Sequence, residues 1–276
     1  MCELFGLSSN VDVDIKFSWC GFICRGEKNP DGWGIAFYSK SSDPKRRKVL
    51  MLIKEPRSAY KSTVSRFLKH VIKSKLIISH VRYATTGGVL YVDTHPFVRK
   101  LFGFEWTFAH NGNVSSIMSD PNFKLKDYIP LGDTDSEYAF CYIMEELKNK
   151  SYWLEGSTTQ SSLNDAALMA AFLYELAKKI SSYGKFNFLL SNGKELYAYR
   201  SQEGTLYYLL RHPPHKGKIR LVDEDYEIEL EELKQGHEKV ALIATQPLTE
   251  KEKWISFKKN HLLVFKDGEI TKSLFC

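Results

Sequence analysis

The alternation of apolar and polar positions divides the chain into strands and helices. Cys2 to Ser8 reads as a short apolar strand, and Ile15 to Cys24, apolar and aromatic-rich, as a buried helix. Breaker residues make Gly26–Gly32 a loop. Trp33–Tyr38 and Lys48–Lys54 read as paired strands around a basic loop. Val64, Phe67, Leu68, Val71 and Ile72 recur at helical spacing and predict a helix over Ser58–Lys73. Leu76–Val81 and Phe104–Ala109 are predicted strands, and Thr134–Leu147 is a predicted helix opened by an Asp133 or Thr134 cap. The polar stretch Gly156–Ser162 reads as a linker or surface loop, followed by a clear amphipathic helix over Leu163–Ile180. Short strand-like runs follow at 186–191, 195–200, 205–210, 239–245 and 261–266. No internal repeat is visible. Helices and strands fall in blocks, which predicts α+β layers rather than βαβ alternation.

Composition narrows the class. The 276 residues are 43% hydrophobic and 26% charged, a globular balance able to bury a core without metal or disulfide staples. The net charge of +6, from 39 basic and 33 acidic residues, demands no nucleic-acid partner. Its densest run, Lys45-Arg46-Arg47-Lys48, reads as a solvated loop. The five cysteines are odd in number and form no C-x-x-C, so a reducing cytoplasm is expected. No signal-peptide pattern is seen, and the apolar stretches are shorter than a membrane span. Cys20 and Cys24 read as a helix face, Cys141 as core, and His212-Pro213-Pro214-His215 as a surface loop. No metal or cofactor is expected.

Four places carry chemistry. Removal of Met1 would leave Cys2 with a free α-amine, of pKa near about 8, able to act as base for its own thiol. Arg82, at the end of a strand, could present its planar fork to a carboxylate or form a surface ion pair. Asn111 and Gly112 could aim a side-chain and a backbone N–H at one point, as an oxyanion hole requires, or make an ordinary Asn-Gly turn. Asp135, in Gly132-Asp133-Thr134-Asp135-Ser136-Glu137, could hold an ammonium or belong to a helix cap. Together, a thiol, an oxyanion hole, a cation and an anion are what an enzyme needs to hold glutamine.

With these residues placed, the chain resembles the class II glutamine amidotransferases of the N-terminal-nucleophile hydrolase superfamily. The matching segments are Met1-Cys2-Glu3-Leu4-Phe5-Gly6, Pro30-Asp31-Gly32-Trp33-Gly34, His80-Val81-Arg82-Tyr83-Ala84-Thr85, His95-Pro96, His110-Asn111-Gly112-Asn113 and Asp133-Thr134-Asp135-Ser136-Glu137, in the family's order over the first half of the chain. Phe17–Tyr38 is most similar to the compact stand-alone YafJ-like branch. The resemblance implies one four-layer αββα sandwich over residues 1–276, with two stacked, mainly antiparallel sheets between helices. It also implies Cys2 as nucleophile, Asn111 and Gly112 as oxyanion hole, Arg82 on the substrate carboxylate with Thr85 and His95 nearby, and Asp135 on the α-ammonium. Arg25 would match an arginine that orders the amino terminus, although Glu27-Lys28-Asn29 disturbs that alignment.

The expected activity is hydrolysis of the glutamine side-chain amide through a Cys2 γ-glutamyl thioester, with room for a partner subunit that accepts the ammonia. Two alternatives stay open: a hydrolase of γ-glutamyl peptides or amides at the same site, and an inactive regulatory subunit on the same scaffold.

Overall fold

The computed structural model describes residues 2–40, 48–155, 166–233 and 236–275. The Lys45–Arg47 part of the basic run, the 156–162 linker and the start of the helix expected at Leu163 lie outside them. In chain order the first strands are β1 (Glu3–Asp14), β2 (Gly32–Lys40), β3 (Lys48–Glu55), β4 (Lys73–Arg82), β5 (Phe97–Leu101), β6 (Phe104–Asn113), β7 (Lys185–Ser191) and β8 (Leu196–Arg200). They are followed by β9 (Tyr207–Arg211), β10 (Lys218–Leu221), β11 (Glu227–Glu229), β12 (Val240–Ala244), β13 (Thr249–Glu250), β14 (Ile255–Ser256), β15 (His261–Lys266) and β16 (Glu269–Phe275). The helices are α1 (Lys16–Cys24), α2 (Thr63–Leu68), α3 (Asp135–Glu155), α4 (Ala166–Ser181) and α5 (Leu230–Leu233).

One sheet runs β14-β9-β12-β1-β4-β2-β3 and a second runs β16-β15-β8-β7-β6-β5, with a small β11-β10-β13 sheet at the side. Alternation along each strand explains why the large sheets stack. Successive residues point to opposite faces, and in β1 Phe5 and Leu7 enter one apolar cluster while Leu4 enters another. In β7, Phe186 and Phe188 face one way and Leu189 the other. The result is three apolar layers. Trp19, Phe22 and Leu68 of α1 and α2 cover the outer face of the first sheet, together with Phe5, Ile77 and Val81. Leu4, Ile78, Ala109, Leu189 and Ile243 fill the space between the sheets. Phe140, Ile143, Leu173 and Ile180 of α3 and α4 cover the second sheet over Phe108 and Phe188. Three cores imply four layers, αββα, as the resemblance implied.

The helix expected over Ser58–Lys73 shrinks to six residues, capped by the Ser62 hydroxyl accepting from the Ser65 N–H at 3.1 Å. Val64, Phe67 and Val71, which suggested the longer helix, are exposed, and Lys73 already begins β4. The first strand extends to Asp14 with a register shift after Ser8. β5, β16 and the small sheet were not expected, being short or carrying Lys and Arg. The Thr134 cap is present: its hydroxyl accepts from the Glu137 N–H at 3.1 Å. Cys20 and Cys141 are buried as expected. His215 is not at the surface: it is buried, with Nε2 2.9 Å from the Glu238 carbonyl.

Candidate active site

β1 and β4 pair with Glu3 opposite Val81, which sets Cys2 beside the end of β4. The Cys2 sulfur is 3.2 Å from both the backbone N and the carbonyl O of Tyr83. Burial pushes the thiol's pKa up, while the Tyr83 N–H and the Arg82 charge pull it back. Facing it from the second sheet, the Asn111 side-chain N–H donates to the Cys2 carbonyl. An amide nitrogen carries two donors, so a second remains for a ligand.

Arg82 is the next inward-facing residue on β4 after His80, and it is buried. Its guanidinium folds the following loop around itself, donating to the carbonyls of Gly88 at 2.5 Å and Thr86 at 2.8 Å. Asp31 accepts from the Ala84 N–H at 2.8 Å. Asp93, wholly buried, accepts from Gly88 N at 2.7 Å and from Asp133 N at 2.9 Å. One carboxylate thus joins the loop around Arg82 to the loop that starts α3.

Gly112 stands where β6 and β7 approach closely. A Cβ there would run into the Lys185 carbonyl and the His110 ring, so no other residue fits. Asp135 opens α3 and is buried; its Oδ2 accepts from Val114 N at 2.7 Å, which ties the helix start to the chain just after Asn113. His110 Nδ1 lies 2.8 Å from the Ser136 hydroxyl, a second link between the same two segments. Glu137 strengthens the corner, receiving Arg99 at 2.6 Å and the N–H groups of Leu131 and Gly132 at 3.0 and 2.8 Å. Hydrogen bonds therefore join Cys2 to Tyr83, the residue after Arg82, and to Asn111, and join Asp135 to Val114, three positions beyond Asn111.

A family model described as glutamine amidotransferases class-II matches residues 1–275. The chain belongs to the class II glutamine amidotransferases. A protein named YafJ from Escherichia coli is 34% identical over 273 residues, 98% of this chain and 99% of YafJ. An uncharacterized protein of Methanocaldococcus jannaschii is 38% identical over 99% of this chain and 71% of its own. The crystal structure of a predicted glutamine amidotransferase from Pseudomonas aeruginosa superposes with a TM-score of 0.65 at 26% identity, covering 98% of this chain and 100% of that one. Glutamine phosphoribosylpyrophosphate amidotransferase of B. subtilis, at 15% identity and a TM-score of 0.62 over 49% of its chain, shares the fold. The αββα sandwich is thus of the N-terminal-nucleophile hydrolase type.

Three expected site residues of this class II chain are placed differently from the five above. Arg25 faces protein groups: Glu3 at 2.5 Å, Asp223 at 2.9 Å, and the carbonyls of Gln246 at 3.0 Å and Pro247 at 2.5 Å. It clamps Glu3, the residue next to Cys2, and these contacts are all to protein groups. His95 lies within electrostatic reach of Arg82. It is buried between His80 and Phe97, ring centroids 4.2 and 4.5 Å away, with neither ring nitrogen hydrogen-bonded among the described residues, and burial holds its pKa well below the usual histidine value. Thr85 is exposed on the loop beyond Arg82. Sequence reasoning missed Asp93, Arg99 and Glu137, which hold the two loops in place. No spacing signal marks Asp93 or Arg99, since their partners lie 40 and 38 positions away. Among the described residues no His/Cys/Asp/Glu group could hold a metal, and no helix is long and apolar enough to cross a membrane.

Proposed function

We propose that the protein hydrolyses the side-chain amide of glutamine, with Cys2 as nucleophile after Met1 is removed. The observation that supports this most is the convergence of Cys2, the Arg82 loop, Asn111 and the Asp135 corner through direct contacts. The two charged side chains suit the two ends of an amino acid: Arg82, with donors beyond the two it uses, takes the carboxylate, and Asp135 takes the ammonium.

The freed α-amine removes the Cys2 proton. The thiolate attacks the carbonyl carbon of the side-chain amide, and the oxyanion is held by the second Asn111 N–H and by Gly112. The amine returns its proton to the departing nitrogen, so ammonia leaves and a γ-glutamyl thioester remains. Water, deprotonated by the same amine, then releases glutamate and the thiol. In the amidotransferase form of the reaction, a partner subunit consumes the ammonia. The cytoplasm suits a free thiol of this kind.

Release of glutamate and ammonia from glutamine, with γ-glutamyl peptides assayed beside it, tests the proposal. Glutamine turnover that disappears in Cys2→Ala is the expected outcome. Full activity in Cys2→Ala would refute the mechanism, and turnover of peptides alone would favour the γ-glutamyl hydrolase.

A further inference from the structure

Strand pairing settles where two further polar side chains point. Asn111 lies opposite Asn187, and Asn113 opposite Lys185, across β6 and β7. Directly paired residues share a face of the sheet. That face also carries Ala109 and Leu189, both in the core between the sheets. Lys185 and Asn187 therefore project between the sheets, on the side where Asn111 holds the Cys2 carbonyl.

Gly204, in the turn after β8, fixes how they lie. Its φ of +81° suits glycine. A Cβ added there would come 2.5 Å from Lys185 Cε and 3.2 Å from Nζ, and would overlap the Asn187 amide nitrogen. The lysine stem is thus laid along the bare glycine backbone, half-buried, with its ammonium within electrostatic reach of Cys2. Asn187 Oδ1 receives Ser201 N at 2.8 Å and Ser201 Oγ at 3.1 Å, while its buried Nδ2 has no hydrogen-bond partner among the described residues. The reaction steps above use neither side chain.

We propose that Lys185 is a positioning cation for the Cys2 nucleophile: seated between the sheets on Gly204, it stabilises the thiolate and leaves glutamine to Arg82 and Asp135. The proposal rests on the reading of Cys2 as nucleophile. When the thiol proton moves to the α-amine, the new negative charge on sulfur is within electrostatic reach of the ammonium so formed, of Arg82 from β4 and of Lys185 from β7. The other charged groups around Cys2 are Glu3 on its own strand, already paired with Arg25, and Glu203 near Lys185. Asp135 and His110 act from the α3 side of β6. Burial lowers the Lys185 pKa, and the charges of Cys2 and Glu203 draw it back up.

The test is the rate of Cys2 alkylation by iodoacetamide against pH, on protein freed of Met1. Peptide mass spectrometry separates Cys2 from the other cysteines. In Lys185→Met the acid limb should move up by about half to one pH unit, as loss of one nearby cation predicts. Glutaminase kcat should fall about three- to tenfold at neutral pH with KM unchanged, and Lys185→Arg should restore both. A Lys185→Met alkylation profile that superimposes on wild type overturns the proposal, as does a rise in KM alone. Failure of the glutaminase reading shows separately, as glutamate release that survives Cys2→Ala.

Discussion

The Asn111 amide has two N–H groups, and one is already committed to the Cys2 carbonyl. Substitution by Ala removes the proposed oxyanion donor and this tether together, so kcat for glutamine should fall on the order of 10²-fold or more in steady-state assays. Arg25 acts one residue away from Cys2, through Glu3. Arg25→Met leaves the Glu3 and Asp223 carboxylates and two carbonyls without their cation. Breaking such a pair costs about 3–5 kcal/mol when it is buried, less here because Asp223 is partly exposed. Urea unfolding should show the loss. An unchanged midpoint would mean that Arg25 does not hold the start of β1.

Between elements, the decisive link is Asp93, which binds Gly88 and Asp133 at once. Asp93→Ala should free both loops. KM for glutamine should rise about tenfold while kcat changes less, because Cys2 and Asn111 are held by other contacts. Unchanged KM would show that the Arg82 loop keeps its form without Asp93. The same link shows what the sequence could and could not reveal. Cys2, Arg82, Asn111, Gly112 and Asp135 could be named as candidates because each stands in a short local motif. Asp93 and Lys185 could not, because their places depend on loop closure and on β6–β7 register. Strands with β-branched and aromatic residues, such as β4 and β6, were found from alternation. β5 was missed because Val-Arg-Lys breaks its apolar pattern, and the long helix was wrongly expected because Phe67 and Val71 point to solvent. His95 looked like a pocket residue through its motif, and its burial became visible only with both sheets in place.

Across the whole molecule, the buried histidines His80, His95 and His110 must stay neutral. Burial lowers the pKa of His80 to about 3 and moves those of His95 and His110 down as well. Unfolded histidines bind protons near about pH 6.5. Between that pH and the folded values the unfolded chain holds more protons, so stability falls as pH falls. The contribution is complete above about pH 6.5 and declines toward pH 3. Thermal unfolding at stepped pH should show this slope, and His95→Phe should flatten it; equal slopes would place the acid sensitivity elsewhere. The layered sandwich finally brings four distant segments to one thiol, and that convergence is best tested on the covalent intermediate. Protein freed of Met1 should be quenched in acid during glutamine turnover, and the peptide beginning at Cys2 examined by mass. A gain of one glutamyl unit on that peptide, absent in Cys2→Ala, is the predicted result. Turnover with no adduct at Cys2, or with the adduct on another residue, would contradict the account.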